Sequence, residues 1–382
     1  MIKYSKAFLF ITVVLLLMWG LPWAWHFLFG KPGSYPFTIY SCVAHQFVAM
    51  DRTSGSVAYR GEDGSIYSEK QFDSILPTLY NRQLVSDGRF PSQINGVEID
   101  NRTLQMEKFM FRHKPSDINV KRPGLYPLFE GMSGRVDLQM PGDVFRMNTR
   151  MEFVDMEENR VNEERSQRFT QALLDKGFHF PAGVIAGDQN VRKEYDEGYL
   201  ITDGEGQMFH VKRLKDRPFV RNTEISGVNV KYIFPTTFRN RRFYGFISDE
   251  DRNLYVLNTK TYELKKLPIP AYDPEKETIT IFGDPFYWTV QVLGQEGLKV
   301  YAVDADDYSL VAEKTIPAQE NRAAKIGKYI FPAGLSFTAS TDQYVWPRFT
   351  DFSWWGTLLW TVLITGYITL KVRIKRKKQA VS

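Results

Sequence analysis

Cysteine is almost missing from this chain of 382 residues: Cys42 stands alone. An internal disulfide is therefore excluded, and the core must hold by burial. Cys42 reads as a small buried residue, not a lipid-attachment site, because Ile39-Tyr40-Ser41 is not the small-residue box that precedes a lipidated cysteine. Histidine is scarce too. His26, His45, His113, His179 and His210 show no metal-ligand spacing and are expected to serve structure. There is no G-x-S-x-G and no Walker loop, so neither a nucleophile nor a phosphate cradle is framed. Asp304-Ala305-Asp306-Asp307 lacks the sixth-position Gly and final Glu of a helix-loop-helix calcium site. Asp249, Glu250 and Asp251 are adjacent in a turn, where carboxylates point into water instead of pairing as acid and base. The expectation is no catalytic, cofactor-binding or metal residue, no cofactor, and no enzymatic activity.

Charge is absent from two stretches. Residues 7–30 and 352–370 contain no Asp, Glu, Lys or Arg. Each is long enough to cross a hydrocarbon core of roughly 30 Å, which takes about 20 helical residues. Lys3 and Lys6 precede the first run, and Lys371, Arg373, Lys375, Arg376, Lys377 and Lys378 follow the second. Basic residues near a span stay on the cytoplasmic side. Both termini are thus expected inside, with residues 31–350 displayed on the outer side of the membrane. The first run is too long and aromatic for a cleaved signal peptide, since Trp23-Ala24-Trp25 offers no small-x-small site. Trp19, Trp23, Trp25, Trp354 and Trp355 gather toward the outer face, where indole rings settle. The net charge of +5 resides in the termini and leaves about −2 for residues 31–350. A nucleic-acid partner is not expected.

The displayed part repeats itself. Asn253-Leu254-Tyr255-Val256-Leu257-Asn258 and the following Thr259 to Leu264 match Lys299-Val300-Tyr301-Ala302-Val303-Asp304 and Ala305 to Leu310 at a shift of about 46 residues. The same shift backward reaches Gln207-Met208-Phe209-His210-Val211, and Leu200-Ile201-Thr202-Asp203 matches Phe246-Ile247-Ser248-Asp249. Each unit reads as strands separated by polar turns, with both strand faces partly buried. Short antiparallel strands at this period suit propeller blades, because one sheet cannot cover both of its own faces. The fold class expected is mainly β, an irregular propeller-like extracytoplasmic domain with helical insertions; a pair of β-sandwiches is the alternative. The period allows five to seven units, although residues 68–177 do not keep it. Gly64-Ser65-Ile66-Tyr67 is read as a further copy of the Leu254-Tyr255 element. Phe180-Pro181, Phe234-Pro235 and Phe331-Pro332 are read as openings of innermost strands. Helices are predicted over residues 157–176, stopping at Gly177, and 69–76. Lys212, Arg213, Lys215, Arg217 and Arg221, with Arg239, Arg241 and Arg242, form a basic stretch read as a solvated edge; convergence on one face would instead suit an anionic partner.

The segments Asn81-Arg82-Gln83-Leu84, Asp87-Gly88-Arg89-Phe90-Pro91, Leu125-Tyr126-Pro127-Leu128-Phe129-Glu130 and Leu138-Gln139-Met140-Pro141-Gly142-Asp143, with the two apolar ends, resemble an uncharacterised family of Bacteroides-type two-span envelope proteins. Members of that family are often encoded beside ABC transporter subunits. The resemblance implies a periplasmic accessory protein whose partners are the membrane and the permease and ATPase subunits. It implies no catalytic residue. The organisation expected is a stub and span over residues 1–30, the β-rich domain over 31–350, a second span over 351–370 and a basic tail over 371–382. A ligand-sensing ectodomain and, behind it, a carbohydrate-active envelope enzyme are the other readings.

Overall fold

Strands joined by tight polar turns make sheets whose order follows the chain, and the computed structural model is built this way. It describes residues 2–30, 35–52, 56–319 and 321–379. Helix α1 (Ile2–Phe29) precedes a four-stranded sheet of β1 (Phe37–Tyr40), β2 (Phe47–Asp51), β3 (Ala58–Gly61) and β4 (Ile66–Tyr67). Next come α2 (Glu69–Ile75), α3 (Asn81–Ser86), the hairpin β5 (Gln93–Ile94) and β6 (Val97–Glu98), α4 (Asn101–Glu107), β7 (Phe109–His113) and the short α5 (Pro115–Ile118). A second hairpin, β8 (Asp143–Met147) and β9 (Met151–Asp155), leads to α6 (Glu163–Leu174). The second sheet holds β10 (Ile185–Gly187), β11 (Tyr199–Thr202), β12 (Met208–Leu214) and β13 (Arg217–Asn222). The third holds β14 (Val230–Pro235), β15 (Phe243–Asp249), β16 (Leu254–Asn258) and β17 (Leu264–Lys266). The fourth holds β18 (Thr278–Gly283), β19 (Tyr287–Gly294), β20 (Gly297–Asp304) and β21 (Leu310–Pro317), with β7 added antiparallel to β18. Then follow α7 (Arg322–Ile330), the hairpin β22 (Gly334–Ser336) and β23 (Arg348–Thr350), and α8 (Trp354–Gln379).

The chain divides into two compact units. The larger contains residues 36–114 and 121–316; the smaller contains residues 1–35, 115–120 and 317–382. In the larger unit the repeat falls on corresponding strands, since β12, β16 and β20 are each the third of four consecutive strands that pair in chain order. The turns repeat as well. Asp203 Oδ1 accepts from the Glu205 and Gln207 amides, and Asp249 Oδ1 accepts from the Asn253 amide. Tyr262 and Tyr308, one period apart, both sit at positive φ (59° and 62°) in the turn after the third strand. The second sheet replaces that longer turn with a tight hairpin in which Lys215 and Asp216 take φ of 51° and 60°.

Strand parity sets how the sheets stack. On β11 and β12, Tyr199, Ile201, Phe209 and Val211 pack with Phe145, Phe153 and Phe169 of β8, β9 and α6. The alternate residues Leu200 and Met208 pack with Ile233, Ile247 and Leu257 of the third sheet. That sheet's opposite face carries Phe246, which meets Phe111 of β7 at 4.5 Å, and Phe243, which meets Trp288 of β19 at 5.4 Å. The fourth sheet's remaining face meets the first: Phe282 lies 5.4 Å from Phe37, and the Tyr40 amide donates to Thr289 Oγ1 at 2.9 Å. Both faces of the middle sheets are therefore covered, which is why their central strands read as nearly continuous apolar runs. Gly283 makes one such contact possible, since a Cβ there would lie 2.1 Å from the Phe109 ring.

Several expectations change. Among the described residues four sheets have four or more strands, fewer than the five to seven units that the period allowed, because residues 68–177 supply helices, hairpins and the borrowed strand β7. The helix expected over 157–176 begins only at Glu163. Asn162 caps it by accepting from the Arg165 amide at 3.0 Å, while Val161 bridges Val154 in extended conformation. It is closed, as read, with Gly177 at φ 83°. Ser68 starts α2 through a capping box with Gln71. Gly64 to Tyr67 supplies a fourth strand, not a third. Phe-Pro does not mark strand openings: Phe180-Pro181 precedes β10, Phe234-Pro235 ends β14, and Phe331-Pro332 lies between α7 and β22.

Trp288 is 1% exposed and touches Phe109, Phe243, Phe246 and Tyr308, joining two sheets through one ring. Trp288→Ala is expected to cost about 3–5 kcal/mol, the range for truncating a buried aromatic. Denaturant unfolding of the detergent-solubilised full chain, followed by near-ultraviolet circular dichroism, measures the shift in midpoint.

Candidate functional site

Six of the eight residues of the basic stretch are engaged by neighbours, while Lys215 and Arg217 stay exposed. Lys212 pairs with Glu197, and Arg213 reaches Glu130, Asp143 and Asp216. Arg239 pairs with Glu194, Arg242 reaches Asp306 at 3.6 Å, and Arg221 and Arg241 lie over the Tyr262 and Tyr195 rings. Arg165, absent from the sequence reading, also joins the knot around Asp143 and Asp216 and fixes α6 to β8. The other singled-out groups are dispersed. Asp304 Oδ1 accepts from the Asp306 amide at 2.8 Å in its turn, and Asp249 is held by Asn253 and Tyr255. His113 Nδ1 lies 2.9 Å from the Tyr272 hydroxyl, and His179 lies beside Asp203 and Glu205. Among the described residues no three His, Cys, Asp or Glu side chains gather as metal ligands.

His210 occupies the repeat position held elsewhere by Val256 and Ala302, and all three are fully buried. Its Nε2 faces the Glu197 carbonyl, which can only accept, so that nitrogen carries the proton. Nδ1 is then an acceptor, 2.7 Å from the Tyr262 hydroxyl, which lies 3.2 Å from that of Tyr244. Burial, with Lys212 and Arg221 nearby, pushes His210 down from an ordinary 6.5 to about 3. Lys193 and Asp196 form a second buried pair at 2.6 Å, and burial raises the Asp196 carboxyl. These groups leave room for little more than a water, with a cavity of about 10 Å³ beside them. The His210–Tyr262 contact joins the second sheet to the third, while Lys193 and Asp196 lie together in the connection between β10 and β11.

A cavity of about 290 Å³ opens within the larger unit, walled by Phe109, Met110 and Phe282 and edged by Lys108, Asp284 and Tyr287. Asp284 Oδ1 accepts the Phe286 and Tyr287 amides, both at 2.8 Å, and caps its turn. The surface it retains faces this cavity, and burial raises its carboxyl. Burial also lowers Lys108, whose ammonium donates to Asn81 Oδ1 at 2.8 Å and reaches the Thr78 carbonyl at 3.4 Å. Cys42, 1% exposed, has its thiol raised by burial and then by the charge of Asp284. With its polar edge already engaged by protein, the cavity suits a small and mostly apolar molecule.

The smaller unit builds a clasp. Trp25 of α1 donates its indole N–H to the Ala323 carbonyl at 2.8 Å, and Trp360 of α8 donates to the Ile330 carbonyl at 2.8 Å. These carbonyls lie near opposite ends of α7, so one short helix is strapped to both long ones. Ala323 and Gly327 form its buried stripe. Gly356 must be glycine, since a Cβ would lie 2.1 Å from the Phe331 carbonyl oxygen; Gly366 has open space instead. The segment after α5 belongs to this unit through Asn119 Nδ2, which donates to the Thr341 carbonyl at 2.9 Å. The apolar spans run Tyr4–Phe29 and Trp354–Ile374, long and apolar enough to cross a membrane. The side chains of Lys3 and of residues 375–378 lie outside the described residues, as does the junction at residues 31–34.

Antiparallel sheets, with a helix near each terminus long and apolar enough to cross a membrane, define a mainly β protein. A family model described as a domain of unknown function, DUF4857, matches residues 37–303, from the start of β1 into β20, and the chain belongs to that family. No curated protein matches the chain.

The His210 cluster gives a pH dependence. Below pH 6.5 the unfolded chain takes up a proton that folded His210 refuses, so stability falls progressively as pH drops from about 6.5 toward about 3. Thermal unfolding of the wild type is expected to lose more Tm between pH 7 and pH 4 than that of His210→Gln, which lacks this site.

Proposed function

We propose that the protein is a membrane-anchored extracytoplasmic scaffold that acts by protein–protein contact and carries out no chemistry of its own. Its stacked sheets are read as blades of an irregular propeller. The observation that carries the proposal is the clasp: a single span suffices to tether a domain, whereas two spans tied together by Trp25, α7 and Trp360 form one lateral surface. On α8 that surface exposes Leu358, Val362, Leu363 and Tyr367. Its hydroxyls are already satisfied, as Thr357, Thr361, Thr365 and Thr369 each donate to a carbonyl four residues earlier at 2.8 Å. Such internal pairing suits a helix in lipid, where water cannot satisfy polar groups. Neither uncharged run, residues 7–30 or 352–370, offers charges to line a transport path. The basic flanks support a topology with both termini in the cytoplasm and the β domain in the periplasm of an inner membrane. The partner we infer is an ABC transporter, its permease meeting the spans and its ATPase in the same complex, as the family resemblance implies.

Ligand sensing is the second reading, favoured by the cavity beside Lys108 and Asp284. The two separate in a mild-detergent pull-down of the intact chain from its native membrane. The scaffold reading expects permease and ATPase subunits in stable proportion. It also expects them to be lost when the part of α8 beyond Thr361 is replaced by a generic Leu/Ala span that keeps Ser353, Gly356 and Trp360. Partner-free protein would contradict it and turn attention to ligands of the cavity.

A further inference from the structure

A groove of about 550 Å³ runs through the smaller unit between the last turns of α1, one side of α7 and the β22–β23 hairpin. Trp19, Pro22 and Trp23 form one wall and Phe331, Leu335 and Phe337 another. These are not closed-off core residues: Trp23 is 60% exposed and Phe337 39%. Beside the groove Ile326, Tyr329 and Phe349 are exposed as well. A water-facing domain rarely leaves so much aromatic surface open. The position along α1 supplies the reason. Its apolar stretch of 26 residues is about 39 Å long at 1.5 Å per residue, longer than the roughly 30 Å hydrocarbon core. With the basic end inside, Trp19 to His26 reach the level where acyl chains give way to headgroups.

The groove also carries charge in a specific arrangement. Lys328 stands on its α7 side and Asp351 on its hairpin side, and neither has an ion-pair partner among the described residues. An apolar trough edged by one cation and one anion matches a molecule with an apolar tail and a zwitterionic head. We propose that this groove binds one zwitterionic phospholipid of the outer leaflet, its acyl chain along Trp19, Pro22, Trp23 and Phe337, its phosphate toward Lys328 and its ammonium toward Asp351. Such a lipid completes the surface at which α1, α7 and the hairpin meet the bilayer. The inference rests on the membrane-anchored reading.

Native mass spectrometry of the full chain released from mild detergent tests it, with phosphatidylethanolamine and phosphatidylglycerol as added probes. The wild type is expected to retain one phosphatidylethanolamine per chain and to prefer it several-fold over phosphatidylglycerol. The double variant Lys328→Gln with Asp351→Asn is expected to lose that preference. Ala324→Trp, which fills the groove from α7, is expected to lose the bound lipid with circular dichroism unchanged; Ser336→Trp fills it from the hairpin should the first variant misfold. Lipid retained equally by the filled variants, or none retained by the wild type, would overturn the inference. Alkaline carbonate extraction separates this from failure of the anchor itself. A chain released by carbonate contradicts the membrane reading, whereas a chain that stays in the membrane yet holds no lipid contradicts only the groove.

Discussion

The hydroxyl of Ser353 ties the terminal elements together. It donates to the Lys328 carbonyl near the end of α7 and accepts the Gly356 amide at 3.2 Å at the start of α8, while the Ser353 amide donates to the Pro332 carbonyl at 2.9 Å. The last carbonyls of a helix and the first amides of the next have no partner within their own ladders. Here one helix end satisfies the other. Gly356 lets the backbones approach closely enough for this, and the two indole N–H groups of Trp25 and Trp360 satisfy further carbonyls of α7. At a membrane surface, where water is scarcer, leaving these groups unpaired would cost more than in a soluble domain.

The larger unit follows a different rule, alternation. Each middle sheet sends odd residues one way and even residues the other, and each face finds a neighbouring sheet or, for the second sheet, α6 and its hairpin. Aromatic pairs recur at these junctions: Phe246 against Phe111, Trp288 against Phe243 and Tyr40 against Tyr287. Some polar groups inside this stack are paired, whereas the hydroxyls of Thr236 and Ser248 are buried without a hydrogen-bond partner. His210 with Tyr262 stands at the junction of the second and third sheets, and Lys193 with Asp196 closes the connection between β10 and β11.

The repeat was the most legible part of the sequence because strand, turn and turn residue recur together at one spacing. It placed β12, β16 and β20 in equivalent positions and found the Asp203 and Asp249 turns. Strand β7 went unseen although Phe109, Phe111 and His113 alternate with Met110 and Arg112, since its partner β18 lies some 170 residues away and local pattern does not report pairing. Helix α7 had signals too, with Asn321 as cap and Ala323 and Gly327 one turn apart, yet it lies between two louder features. The clasp was invisible for a further reason. Trp25 read only as an interfacial anchor, because sequence shows which groups are small or amphipathic but not which carbonyl awaits them. The basic stretch between Lys212 and Arg242 likewise gave no sign that carboxylates from β8 and from distant turns would pair with Arg213, Arg239 and Arg242.

The central claim, that both ends of the chain lie on one side of a membrane and the sheets on the other, is most directly tested by labelling with a membrane-impermeant thiol reagent. Cys42 is buried and leaves the folded background silent. Glu205→Cys in an exposed turn of the second sheet, Ser5→Cys near the N-terminus and Ser382→Cys at the C-terminus would be compared in cells with only the outer membrane permeabilised. The account predicts that Glu205→Cys labels at once and that both terminal cysteines label only after lysis. Terminal and turn cysteines reacting from the same side, or the two termini behaving differently, would contradict it.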